Sequence, residues 1–415
     1  MLLNYVLFLF TLILIGGLAL DTGILEWRQQ RLQQAADAAA QEGMYETART
    51  NSDWITAAQA QAALNGFTNG ANGASVTVGF AASNDGFIDY RAIQATVSQS
   101  VNNIFMGLVN GGKSTVSVTA TARVIPTCLW ILNPSSTFTN GGTFWLASSR
   151  LEASCGVFIN TASGNSLAVD ANSSLDVVRT RVVGPSSGNV SSGFVYTPPR
   201  FGSSPKNDPL AYLTAPTFSS CTYRNVSYSN AVATLSPGTY CGGIALHNAI
   251  VNLSSGLYII TGGLSMTNST LNGQSGVTLY FTSGGGSGYG TISATGNPSS
   301  GFNYSSNIIL NATTTASGGT VPGIALFGDR DWIAHGSYGL TFVNTYIEGD
   351  AIWYVPNTGI SMTNCLYTDA AYSGLVVDSF YQSGTYNGAG SWITTDYTSL
   401  GGNSPYHYDD GVLVQ

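Results

Sequence analysis

The chain has 415 residues, and only 8% are charged: 13 Lys and Arg against 21 Asp and Glu, for a formal net charge of −8. So few cations cannot build the counterion-displacing surface that nucleic-acid binding requires, while 44% hydrophobic residues argue against disorder and suffice for a large core. The 50 glycines and 13 prolines show no G-X-Y period, which excludes collagen and points to a turn-rich β protein with a neutral polar surface.

Residues 1–20 carry no charge, and twenty helical residues rise about 30 Å, the thickness of one hydrocarbon core. No basic n-region precedes this run and no A-x-A site ends it, unlike a secretory signal peptide. The pattern continues in Ala, Leu, Gln and Arg, all good helix formers, so one helix is expected from residue 2 to about 48. Leu2, Leu3, Tyr5, Leu9, Ile13, Gly16, Gly17 and Leu20 are its expected assembly or membrane face, with Gly16 and Gly17 permitting close helix approach.

The run Ala19, Leu20, Asp21, Thr22, Gly23, followed by Arg28-Gln-Gln-Arg31-Leu-Gln-Gln-Ala-Ala-Asp37-Ala-Ala-Ala40, resembles the N-terminal module of the TadG-like proteins of Tad/Flp pilus systems. Two departures stand out. Gln41-Glu42-Gly43 replaces the family's Leu-Ala-Gly, and Tyr5 stands where major pilins and TadE-like proteins carry Glu. The charge flanks also need explaining. Arg28 and Arg31 follow the apolar run and nothing basic precedes it, which by the positive-inside rule places the bulk of the chain in the cytoplasm. The cysteines favour an oxidising compartment instead. Either a basic leader is removed before Met1, as in prepilins, or Met1 is the initiator and topology is set otherwise.

Further along, residues 51–65 read as helix, 76–80 and 88–97 as strands about a turn at 83–86, 103–110 as a short helix, and 114–124 as a third strand. From Cys128 onward the helical period is lost. Gly243-Ile-Ala-Leu246 recurs as Gly263-Leu-Ser-Met266, Gly256-Leu-Tyr-Ile259 as Gly276-Val-Thr-Leu279, and Gly339-Leu-Thr-Phe342 as Gly359-Ile-Ser-Met362, each 20 residues on. Short strands at a fixed period favour a parallel β-helix over a β-sandwich. The TadG-like resemblance continues through Cys128-Leu-Trp-Ile-Leu-Asn-Pro134, Ala153-Ser-Cys155, Asn207-Asp-Pro-Leu-Ala211, Leu235 to Gly243 and Ser255 to Ile260. It fades at a Gly/Ser insert over 282–289. The fold class is thus α+β: a long pilin-like helix with a small antiparallel sheet, then a large all-β solenoid. The expected divisions are 1–50, 51–125, 126–375 and a Tyr/Ser/Asp-rich segment over 376–415.

Five cysteines, none in C-x-x-C and none at ligand spacing from a His, argue against zinc and c-type haem. Two disulfides and one free thiol are expected. Of the three pairings open to four cysteines, Cys128 with Cys155 and Cys221 with Cys241 are preferred, each worth roughly 3 kcal/mol on the loop-entropy estimate. Cys365 is left over as a core thiol. His247, His335 and His407 stand singly, so no metal is expected. Asp329-Arg330-Asp331 and Asp409-Asp410 are the carboxylate clusters to weigh for catalysis or calcium; the first reads as a salt-bridged turn. Seven N-x-[ST] sequons, at Asn172, Asn189, Asn225, Asn252, Asn268, Asn303 and Asn311, suit Asn and Ser/Thr ladders along a solenoid. The 22 tyrosines suit contacts between subunits.

These readings lead to a bacterial cell-surface protein without enzymatic activity or cofactors, exported through the inner membrane. It is expected to be the subunit of an extracellular filament, polymerising with itself through the N-terminal helix, with the membrane as a partner before assembly and other pilus components as further partners. The alternatives are a membrane-anchored TadG-like assembly component and a surface β-helix that binds or cleaves glycans.

Overall fold

A computed structural model describes residues 2–48, 53–82, 88–105, 112–124, 127–135, 142–185, 190, 195–297, 305–313, 321–369, 372–384, 390–393 and 411–414. Two compact units emerge, one of residues 1–125 with 407–415, the other of residues 126–406.

In the first unit, α1 (Leu2–Ala48) runs about 70 Å at 1.5 Å per residue. It is followed by α2 (Trp54–Leu64), β1 (Ala74–Ala82), β2 (Ile88–Asn102) and β3 (Lys113–Val124). The sheet is antiparallel in the order β1, β2, β3 and then the strand Gly411–Val414, which pairs with β3. Leu32, Ala35, Ala36, Ala39, Ala40 and Met44 recur at helical spacing and are buried against Ile93, Ala95 and Val97 of the sheet. Small side chains let the helix lie close to the strands. A Cβ at Gly43 would come within 3.1 Å of Ile93 Cγ2. Of the short helix expected over 103–110, Asn103 to Phe105 form no helix and the remainder lies outside the described residues.

The second unit is a stack of parallel strands. Its lowest turn, Tyr223–Ser229 and Val232–Leu235, pairs with Gly238–His247 and Ile250–Leu253. Winding continues upward through Gly256–Thr261, Leu264–Thr267 and Thr270–Thr282, then through Ile324–Gly328 and Ala351–Val355, to Ser373–Val377, Phe380–Ser383 and Gly390–Ile393. These last three strands lie on Thr127–Ile131, Phe144–Ala147 and Arg150–Ile159, the first three strands of the unit in chain order. Above these come Leu167–Val169 and Ser174–Val182, and then isolated bridges at Val190, Val195 and Arg200. The chain therefore enters the stack near its upper end, winds to the top, returns to the bottom and winds back up to its own point of entry. The solenoid continues to Ile393, past the boundary expected at 375. Because residues 126–406 stand between β3 and its partner strand Gly411–Val414, the solenoid is an insertion into the first unit.

Two repeats keep the turns in register. Ile244 lies beside Leu264 and Leu340 beside Ile360, as the 20-residue period requires. Gly256 pairs with Val277, so that match slips by one residue. One corner is a ladder of left-handed asparagines: Asn230, Asn248, Asn268, Asn344 and Asn364 have φ between 47° and 52°. Asn tolerates this conformation better than other residues with a Cβ. The backbone N–H of Asn248 donates to Thr267 O and that of Asn268 to Thr295 O, both at 2.9 Å.

Candidate functional site

The first candidate is the N-terminal part of α1. Tyr5 is 72% exposed, Leu9 61%, Ile13 55% and Leu20 60%; Phe8, Leu12, Ile15 and Leu18 are exposed as well. At 3.6 residues per turn these positions cover more than half the helix circumference. An ordinary surface helix shows one apolar stripe; a helix apolar on most sides is one that something else buries. The side chains of Leu2 and Leu3 lie outside the described residues. Among the described residues no helix is long and apolar enough to cross a membrane; the side chains of Val6, Leu7, Phe10 and Leu14 are also outside them.

The bare segment has a defined end. Asp21 is buried, and its carboxylate accepts the backbone N–H of Ile104 at 2.9 Å and of Phe105 at 2.8 Å. One turn earlier, Phe105 lies against Gly17, where a Cβ would collide with its ring. Gly17 is therefore used inside the chain, whereas Gly16 has nothing within 4 Å and stays open to a neighbour. The aspartate of the Ala19–Gly23 motif thus fixes the segment after β2 onto the helix.

The carboxylate cluster belongs to a different structure. After Arg200 the chain descends along the stack as a strap. Lys206 N donates to Asn160 Oδ1 (3.1 Å) near the top. Lower down, Tyr354 donates to Asp208 Oδ2 at 2.6 Å. Arg330 donates to the carbonyls of Leu210 and Leu213, both at 3.0 Å, and to the Tyr354 hydroxyl at 2.7 Å. Its guanidinium also lies over the rings of Phe327 and Tyr354. Burial, reinforced by the Asp208 acceptor, pushes the Tyr354 hydroxyl pKa well up. Asp329 Oδ2 accepts from Thr282 (2.6 Å) and Tyr280 (3.0 Å), and Oδ1 accepts from Asp331 N (3.0 Å). Desolvation raises the Tyr280 pKa to about 12. The Asp-Arg-Asp turn is a hydrogen-bonded clasp that forms no ion pair among the described residues, unlike the salt-bridged turn expected. Asp409 and Asp410 lie outside the described residues.

The strap ends at a disulfide. Cys221 is joined to Cys241, with Cα atoms 5.6 Å apart, and Cys128 to Cys155, with Cα atoms 5.8 Å apart. The Gly/Ser insert covers the first of these. A Cβ at Gly285 would meet the sulfurs of both Cys221 and Cys241, and Gly284 lies against the ring of Phe218. Cys365 is a buried free thiol, and desolvation pushes its pKa up to about 12. His247 is exposed; the side chain of His335 and the whole of His407 lie outside the described residues. Among the described residues no three His, Cys, Asp or Glu side chains converge on a point where a metal could sit.

The Asn207–Ala211 run carries no local signal of its role; it anchors the strap through Asp208 and the Leu210 carbonyl. Asn133 and Asp378, whose side chains are hydrogen-bonded at 3.0 Å, have no sequence signal because they meet only where the last turn docks on the first. Residues 16–122 match a family model described as "Putative Tad-like Flp pilus-assembly". No curated protein and no solved structure matches the chain. The match runs from the bare segment of α1 through the Asp21 anchor to β3 and stops short of Cys128. Over that module, about a quarter of the chain, the protein is similar to the Tad-like Flp pilus-assembly family.

Proposed function

We propose that this chain is a non-enzymatic structural component of a Tad/Flp-type pilus, exported to the bacterial cell surface, that polymerises through the bare segment of α1. The observation that carries this reading is the exposure of Tyr5, Phe8, Leu9, Leu12, Ile13, Ile15 and Leu18 on several sides of one helix. At about 1.5–3 kcal/mol per large apolar side chain, covering them yields on the order of 10 kcal/mol, enough to drive helix association or lipid immersion. The open surface at Gly16 suits close approach of a second helix. Two disulfides suit an oxidising, extracytoplasmic setting. The commitment of the Asp329 carboxylate to Tyr280 and Thr282 argues against its use as a catalytic acid.

The test is Leu9→Asp combined with Ile13→Asp in the full chain. The wild-type protein is expected in filaments sheared from cells, and the double variant is expected to be lost from them with both disulfides intact. Undiminished incorporation would overturn the reading. Tyr5 in place of Glu favours a second reading, a membrane-anchored assembly component. In that case the wild-type chain stays with the membrane pellet after shearing and the double variant leaves it.

A further inference from the structure

Low on the solenoid a groove of about 290 Å³ crosses successive turns, lined among others by Asn225, Ser227, Gly242, Gly262, Ser265 and Thr291. Its floor is a stack of glycine pairs. Gly242, Gly243, Gly262 and Gly263 have φ between 84° and 88°. A Cβ on Gly243 would lie 2.8 Å from Gly262 O, and one on Gly262 would lie 2.9 Å from Gly242 C. The peptide planes at Gly242 and Gly262 are exposed, while Gly243 and Gly263 are buried. At one wall the Asn225 carboxamide lies over Gly242, where a Cβ would collide with it. Asn225, Ser227, Ser265 and Thr291 are exposed, and among the described residues their side chains make no hydrogen bond within the chain.

No lining residue is charged. Arg224, next to Asn225 in sequence, is turned toward the disulfide-covering turn and donates to Gly285 O at 3.4 Å. A charged ligand would lose hydration here without gaining a counter-charge. The volume is at the lower end of small-ligand sites, about 300 Å³. Flat peptide planes below and hydroxyl and carboxamide groups at the sides match a ring with an apolar C–H face and a rim of hydroxyls.

We propose that this groove binds one ring of a neutral polysaccharide, a role independent of the helix-mediated assembly above. The probes are tetrasaccharides of neutral glucose, mannose, galactose and xylose, with a tetramer of galacturonate as the acidic comparison, titrated into the full chain by calorimetry. At least one neutral probe is expected to bind in the millimolar range or tighter, and the acidic one not to. Ser265→Phe fills the groove from an exposed strand position and is expected to weaken binding at least about tenfold. Thr295→Phe, outward-facing but outside the lining, should leave it unchanged; retained disulfides and an unchanged far-ultraviolet spectrum show that both variants fold. Absence of binding by every neutral probe, preference for the galacturonate probe, or undiminished binding by Ser265→Phe would each overturn the proposal.

Discussion

The Asn133 carboxamide donates to Asp378 Oδ2 at 3.0 Å, joining residues 245 positions apart in the chain. Both side chains are buried. The backbones run alongside, with Leu132 N donating to Val377 O at 2.8 Å and Asn133 N to Asp378 O at 3.2 Å. This is where the last-wound turn of the solenoid meets the first. An extended solenoid has two free termini; here entry and exit are adjacent, and both lead back to one small sheet.

Removing either partner of that pair should be costly. Asn133→Ala and Asp378→Ala are each expected to lower stability by about 2 kcal/mol, because a buried polar group left unsatisfied costs ~1–3 kcal/mol. In denaturant titrations the double variant should fall short of additivity by about 1 kcal/mol. Strict additivity would mean that the bond does not couple the two turns.

The Asp21 anchor makes a local prediction. In Asp21→Asn one carboxylate oxygen becomes an amide that cannot accept a hydrogen bond, so one of the two backbone N–H groups loses its partner. Hydrogen exchange at Ile104 and Phe105 should accelerate, with a stability loss of ~1–3 kcal/mol. Gly17→Leu should act on the same segment by displacing the Phe105 ring. Unchanged exchange at both amides would contradict the anchor.

The strap should fail from its lower end. Replacing Cys221 and Cys241 together with Ser removes a crosslink between residues 20 apart, worth roughly 3 kcal/mol. Limited proteolysis of that variant is expected to cut first within residues 201–222. Arg330→Met should expose the same segment, because the carbonyls of Leu210 and Leu213 lose their donor.

Stability should decline at high pH. Burial raises the pKa of Tyr240 and Tyr280 from 10.0, and of the Cys365 thiol from 9.0, to about 12 in the folded chain. Between the unfolded and folded values the native state binds more protons, so stability falls as pH rises. It is intact below about pH 9 and is lost as pH passes through the folded values near 12. Near-ultraviolet phenolate absorbance against pH, paired with Cys365 reactivity toward a thiol reagent, checks this. Reaction of Cys365 in the folded chain near pH 9 would contradict it.

The first unit was largely legible because its signals are local. An uncharged run, a helical repeat of alanines and two alternating strands each specify one element. The 20-residue repeat disclosed parallel turns, and asparagine at the corners supplied their left-handed conformation. The order of the turns was not legible. Nothing in the composition around Trp130 or Val376 says that they lie side by side, because pairing between turns is set by apolar alternation common to every strand. Gly411–Val414 likewise has no local signal of its pairing, because its partner β3 is nearly 300 residues away in sequence. Asp208 and Arg330 were both visible, but only the strap's path brings them to Tyr354.

The bare segment of α1 is the proposed assembly surface of a pilus component. Helical reconstruction of filaments sheared from wild-type cells, at a resolution that resolves side chains, tests it most directly. The expected core is one in which Phe8, Leu9, Leu12 and Ile13 pack against neighbouring copies and Gly16 marks a close helix contact. Filaments that lack this chain, with all of it retained in the membrane pellet, would contradict polymerisation and leave the anchored assembly component.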